Sequence, residues 1–235
     1  MLRTVWLNLF IGIHTIIFCI WGFILSIFDK KNGRLVHLYA AIPWAKIILK
    51  VSGVNGEVVG KENILPDKNY IFMSNHQSFV DIFVLLANIP KDFKFIMKSE
   101  LMKIPILGAT MKRAGYMEIE REDPRESIKQ LNKAVEIIKK GASVLIFPEG
   151  TRSADGKLLP FKKGGFYIAV RSETEIVPLC IKGTHKIAPK GSWSMKKGYY
   201  KLIIGKPISV RAYGKKKINE LMQHVRNKIT EMLTL

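Results

Sequence analysis

His76 and Asp81 are the first residues whose types and spacing permit proton transfer. They stand in Asn75-His76-Gln77-Ser78-Phe79-Val80-Asp81, five apart, and not the three or four that would share one face of a regular helix. The histidine must therefore sit in a turn after a strand and fold back toward an aspartate at the start of a helix. There the carboxylate accepts the proton of one ring nitrogen, fixes the tautomer and stabilises the imidazolium, leaving the other nitrogen as a general base. Taken alone, the pair also has the look of a structural hydrogen bond between buried polar groups. No G-x-S-x-G elbow is present, and neither Cys19 nor Cys180 has a neighbouring histidine, which favours a dyad acting directly on a substrate hydroxyl.

Phe147-Pro148-Glu149-Gly150-Thr151-Arg152-Ser153 supplies a glycine, hydroxyls and an arginine in one loop. Gly150 permits close backbone approach, the hydroxyls donate, and Arg152 can grip a phosphate bidentately. Glu149 cannot favour a phosphate by charge and is assigned to orienting Arg152 or the substrate hydroxyl.

These loops need a scaffold. Tyr70 to Asn75, Phe93 to Lys98 and Tyr116 to Ile119 read as strands, with a helix over Phe79 to Ala87. Asp123-Pro124-Arg125-Glu126 is a helix start with a cap, a proline at the first helical position and an acid three residues after the cap; Gly141 ends that helix. Ser143 to Phe147 is a continuous apolar run, as in a buried parallel strand, and Ile176 to Ile181 and Lys201 to Ile204 are further strands. Ile218, Leu221, Met222, Val225, Ile229 and Met232 mark a closing amphipathic helix. The alternation predicts an α/β domain over 53–235 with a mostly parallel central sheet flanked by helices. Ligands of such sheets gather at the carboxyl ends of strands, where both loops would lie.

The chain has 235 residues, 48% hydrophobic, enough for one such domain and an appendage. Thirty-eight Lys+Arg against 19 Asp+Glu leave a formal charge of +19, yet mean hydropathy is positive at +0.10. That combination points to an anionic membrane surface or acidic substrates before nucleic acid. The greasiness is concentrated in residues 1–52, an apolar helical membrane motif. Thr4 to Phe28 contains 25 residues without Asp, Glu, Lys or Arg, enough helix to cross the hydrocarbon core of a bilayer. It is long for a signal-peptide h-region, and no A-x-A-like site closes it. Lys30, Lys31 and Arg34 follow it against Arg3 before it, so a spanning helix would keep the domain that follows on the cytoplasmic face. Arg34 to Lys50 reads as a second apolar helix, bent near Pro43. The two segments satisfy a crossing helix or two helices entering one leaflet equally well. Between Ile176 and Asn219 there are eleven Lys and Arg and no acid, a stretch suited to anionic lipid or simply to solvent.

NHQSFVD, then Lys98-Ser99-Glu100-Leu101 with Pro105 and Gly108 beyond, then FPEGTRS, then Val177-Pro178-Leu179 resemble the four ordered blocks of the membrane glycerolipid acyltransferases. Within that family they are most similar to enzymes that acylate lysophosphatidate. The resemblance implies transfer of a fatty acyl group from a thioester, on coenzyme A or acyl carrier protein, to the sn-2 hydroxyl of 1-acylglycerol 3-phosphate. His76 would be the base and Asp81 its orienting partner. Lys98 and Arg152 would bind the glycerol phosphate in a pocket shaped by Gly150 and Thr151, with Glu149 beside them. Pro178 would lie in the acyl-donor or oxyanion region. Glu118-Ile119-Glu120-Arg121 occupies the place of a family ending that makes Arg121 a second phosphate candidate, although pairing with Glu120 or Glu122 accounts for it equally.

An activated thioester needs no metal or redox cofactor. The expected partners are a bilayer with anionic lipids, lysophosphatidic acid, and acyl-CoA or acyl carrier protein. Nucleic acid is not among them, since platform and helix-turn-helix motifs are lacking. Acylation of another lysophospholipid or of glycerol 3-phosphate is the nearest rival. A non-catalytic basic membrane-binding module explains the charge but leaves His76, Asp81 and Arg152 as coincidences.

Overall fold

The structure, a computed structural model, describes residues 1–29, 33–120 and 123–235. Lys30 and Lys31, expected to set orientation, and Arg121, the second phosphate candidate, lie outside the described residues.

Among the described residues, seven strands form one sheet: β1 (Val54–Val59), β2 (Ile71–Ser74), β3 (Lys94–Lys98), β4 (Met117–Ile119), β5 (Val144–Ile146), β6 (Ile176–Lys182) and β7 (Gly198–Ile204), in the order β1-β7-β6-β2-β5-β3-β4. Every pairing is parallel except β6 with β7. The helices are α1 (Leu2–Phe28), α2 (Arg34–Ser52), α3 (Val80–Asn88), α4 (Leu107–Arg113), α5 (Pro124–Lys139), α6 (Gly164–Ser172), α7 (Thr184–Ile187) and α8 (Ile218–Thr234).

Alternation along the buried strands divides the core. Tyr70 and Phe72 join Leu145, Val177 and Leu179 on the face covered by α2 and α3, while Ile71 and Met73 join Val144 and Ile176 on the face covered by α5, α6 and α8. Because both faces are covered, β2, β5 and the apolar part of β6 read as continuous apolar runs. Asp123 caps α5 as expected, its side chain accepting from the amides of Arg125 and Glu126.

Three elements go beyond the sequence-based expectation. β1 is a half-exposed edge strand with no apolar run, and Gly56 lets it lie close to β7. α6 opens on two glycines without a cap; a Cβ on Gly165 would stand 3.3 Å from Ile146 and Met73, so the helix sits close on the sheet. α4 contains Gly108, where a Cβ would fall 2.1 Å from the Met102 carbonyl oxygen. Gly108→Ala should therefore push α4 off the turn Ser99–Lys103 and lower stability by about 1–3 kcal/mol, read as a fall in melting temperature in detergent.

α1 is apolar all round but has two distinct faces. Leu7, His14, Cys19 and Gly22 are buried against the rest of the protein. Val5, Leu9, Ile13, Ile16, Ile20, Ile24 and Ile27 form an opposite stripe, 42–65% exposed. The helix is fastened along its length. Arg3 donates to the carbonyls of Met195 (2.7 Å) and Ser52 (2.8 Å), Thr110 Oγ1 donates to that of Cys19 (3.2 Å), and the Arg113 guanidinium lies 4.2 Å from the Phe23 ring centre. α1 and α2 are both long and apolar enough to cross a membrane.

The expected irregularity near Pro43 is a π turn over His37–Ala41. Proline has no N–H to give the Tyr39 carbonyl four residues back. That carbonyl instead accepts from Trp21 Nε1 at 3.1 Å, which ties α2 to α1.

Candidate active site

β2 ends at Ser74, and the next residues are tied down one by one. The Asn75 amide donates to the Ile181 carbonyl (2.8 Å) and accepts from the Ile181 amide (2.7 Å), clamping the turn to β6. Ser78 Oγ donates to the Ala188 carbonyl (2.7 Å) and accepts from the Val80 amide (3.2 Å). Between these ties, His76 folds back onto Asp81. Its Nδ1 lies 2.8 Å from Asp81 Oδ2, which also accepts the amides of Gln77 (2.7 Å) and Ser78 (2.9 Å). Asp81 is fully buried in the first turn of α3, where the helix dipole favours a carboxylate. An acceptor-only partner assigns the proton to Nδ1 and leaves Nε2 as the basic nitrogen. The imidazole stacks on Phe147 at 3.8 Å between ring centres and 14° between planes, which fixes its remaining freedom.

Glu149 has a different place from the one expected. Its Oε1 accepts the backbone amide of His76 (2.7 Å) and its Oε2 that of Leu159 (2.8 Å), so both oxygens hold backbone. Burial pushes its carboxyl up to about 7, against the two amides, which lower it; the Asp81 charge raises it and Arg226 lowers it. Arg226 of α8 donates to the carbonyls of Leu158 and Leu159, and the Ser153 amide donates to the His76 carbonyl (2.7 Å). The turn after β2 is thus braced by the loop between β5 and α6, by β6 and by the segment after α7. The partner of Glu149 lies 73 positions away, and nothing in the local sequence marks it.

Gly150 adopts φ 72°, the left-handed region its lack of a Cβ allows, and closes a turn through its amide to the Phe147 carbonyl (3.0 Å). Thr151 and Arg152 follow, and Arg152 is half-buried with no side-chain partner among the described residues. Two lysines add to this cationic corner. Lys162 lines, with His76 and Arg152, the wall of one cavity, and Lys190 Nζ reaches Thr151 Oγ1 at 3.4 Å. Neither stands out in sequence because each lies among other lysines. Lys98 ends β3 beside Ile119 of β4; its side chain lies outside the described residues.

A cavity of about 700 Å³ runs from His76, Glu149, Gly150, Thr151 and Arg152 into apolar walls between the domain and the first two helices. Thr15 and Phe18 of α1, Trp44 of α2, and Leu86, Met97 and Met111 contribute to those walls. One end is polar and cationic, the other greasy, as an amphiphile with an anionic head requires.

Pro178 does not belong to this group. It is buried within β6, outside the cavity lining, with Gly205 donating to its carbonyl at 2.9 Å. The β6–β7 register slips by one residue between Leu179↔Ile204 and the bridge Ile176↔Ile208, a bulge that tolerates a residue without an N–H. For the same reason Pro178 has no amide to offer an oxyanion. Cys180 is equally remote from the chemistry, its thiol pushed up to about 12 by burial.

A mostly parallel α/β sheet thus carries a histidine–carboxylate pair and a cationic loop at its strand ends, over a long apolar cavity. Residues 55–182 match the acyltransferase family, and the chain belongs to it. It is 40% identical over 211 residues to a chloroplastic 1-acyl-sn-glycerol-3-phosphate acyltransferase of Brassica napus and 41% over 212 to one of Arabidopsis thaliana. Each alignment covers 89% of this chain but only 59% and 57% of those relatives, so the chain spans less than two thirds of their length. The enzyme of the same name from Saccharomyces cerevisiae is 38% identical, with 91% of this chain and 72% of that protein covered. The crystal structure of the 1-acyl-sn-glycerophosphate acyltransferase PlsC from Thermotoga maritima superposes with a TM-score of 0.82 at 27% identity, covering 99% of this chain and 97% of that one.

Proposed function

We propose that the protein transfers a fatty acyl group from an acyl thioester to the sn-2 hydroxyl of 1-acyl-sn-glycerol 3-phosphate, forming phosphatidic acid at a membrane surface. The observation that carries this reading is the His76–Asp81 pair standing between a cationic corner and an apolar cavity. His76 Nε2 takes the hydroxyl proton as the oxygen bonds to the thioester carbonyl carbon, and Asp81 holds the imidazolium. The resulting oxyanion collapses, the C–S bond breaks, and the departing thiolate takes the proton back from His76. A thioester is already activated, so positioning and proton transfer suffice without a metal or redox cofactor. Coenzyme A or acyl carrier protein would bring the acyl group. Arg152, with Lys162 and Lys190 near it, would hold the phosphate.

The outer stripe of α1 supports a lipid-facing helix. A helix of about 40 Å fastened to the domain from Arg3 to Phe23 would enter one leaflet, since a full crossing would draw Arg113 or Lys196 and Lys197, which follow the Met195 held by Arg3, into hydrocarbon. The catalytic domain would then rest on the cytoplasmic face.

The test is a panel of acceptors given to the purified protein in detergent. Lysophosphatidate should exceed lysophosphatidylcholine and glycerol 3-phosphate in kcat/KM, and a preference for either of those would refute the substrate assignment. Arg152→Ala should raise KM for lysophosphatidate about 10- to 100-fold, the loss expected for one charge-assisted bond, with a smaller change in kcat.

A further inference from the structure

We propose that the loop Lys190–Lys197, between α7 and β7, is a second membrane contact that docks on anionic phospholipid headgroups beside the start of α1. It rests on the reading of α1 as a lipid-facing helix.

Trp193 is 85% exposed at the loop's tip. The residues after it are pinned to the first turn of α1: Thr4 Oγ1 lies 3.3 Å from Ser194 Oγ, and Arg3 donates to the Met195 carbonyl at 2.7 Å. The indole is therefore held at the end of α1 that carries Leu2, Val5 and Trp6, all more than half exposed. An indole has a large apolar body and one N–H donor, and that combination settles at the boundary between hydrocarbon and headgroups. Lys196 and Lys197, both exposed, follow within four residues, in the stretch from Ile176 to Asn219 that has no acid. Two cations beside an indole at the foot of an apolar helix match an anionic lipid surface in charge and in layering. Lys190, at the other end of the loop, reaches Thr151 beside Arg152. A loop seated on headgroups would thus set the cationic corner of the site at the depth where a lysophospholipid carries its phosphate.

The test uses the full-length protein and flotation with vesicles of phosphatidylcholine alone or with about one third phosphatidylglycerol. Wild type should bind both, with about tenfold less lipid needed for half-binding on the anionic vesicles. Lys196→Gln/Lys197→Gln keeps the aliphatic stems and should erase most of that anionic gain while leaving binding to neutral vesicles and activity in detergent unchanged. The emission difference between wild type and Trp193→Phe should be quenched by brominated phosphatidylglycerol. Failure of wild type to bind neutral vesicles would refute the lipid-facing helix itself. Retention of the anionic gain in the double variant, or an unquenched Trp193, would overturn the loop proposal alone. Loss of activity restricted to an acyl carrier protein donor, with vesicle binding intact, would overturn it in favour of an acidic carrier as the partner.

Discussion

His76→Ala is expected to lower acyl transfer by about 100- to 10,000-fold, the range for removing a positioned general base, and to leave the fold and membrane association in place. The separation of chemistry from structure follows from the contacts. The backbone of the turn is held by Asn75 to Ile181, by Ser78 to Ala188 and by Glu149 to the amide of residue 76, none of which uses the imidazole. Asp81 Oδ2 would keep the amides of Gln77 and Ser78 as partners when the ring nitrogen is gone. What disappears is the imidazole, stacked on Phe147 and facing the cavity, that would accept the hydroxyl proton. The measurement is kcat/KM with lysophosphatidate and an acyl-CoA, alongside melting temperature in detergent and vesicle flotation. Transfer within a few-fold of wild type would remove His76 from the mechanism. An equal collapse of melting temperature and activity would make it a structural histidine, and a wild-type protein without transferase activity would return the non-catalytic membrane module.

The buried strands and the capped helix α5 were legible in sequence because each obeys a local rule. Val144–Ile146 is an unbroken apolar run because it is covered on both faces, and Asp123 caps α5 with its own side chain. The His76–Asp81 bond was legible too, since residues five apart do not share a helix face and the histidine must fold back from the preceding turn. Glu149 was not. Its place depends on β2 and β5 lying side by side, so that residues following Met73 and Ile146 meet at the carboxyl ends of the two strands. The faces of α1 were illegible for another reason. Leu7 and Leu9 are the same residue type, and only packing distinguishes the one that is buried from the one that is exposed. Lys162 and Lys190 were hidden by their neighbours, because a lysine among lysines has no pattern until a fold singles it out.

Glu149→Gln is expected to cost about 10- to 100-fold in kcat at pH 8 and progressively less as pH falls below about 7. The magnitude is that of one charge-assisted hydrogen bond, and the midpoint is that of the carboxyl itself. As a carboxylate, Glu149 accepts two amides that point at it from His76 and Leu159. Once protonated, one oxygen becomes a donor facing an N–H and one of those bonds is lost, which loosens the turn that aims His76 at Asp81. Glutamine has the same defect at every pH. The ratio of wild-type to variant activity should therefore rise through about pH 7 and level off above it. Stability should move in the opposite direction. A carboxyl raised from 4.5 to about 7 by burial binds its proton more tightly when folded, so the wild type is most stable below pH 4.5 as far as this group is concerned, and that contribution is lost as pH rises toward 7. Glu149→Gln should lack that decline, so its melting temperature relative to wild type should increase from pH 5 to pH 8 even as its relative activity falls. Both profiles can be read from one set of purified samples. A ratio of activities that stays flat across the range would show that Glu149 does not hold His76 in place through its charge.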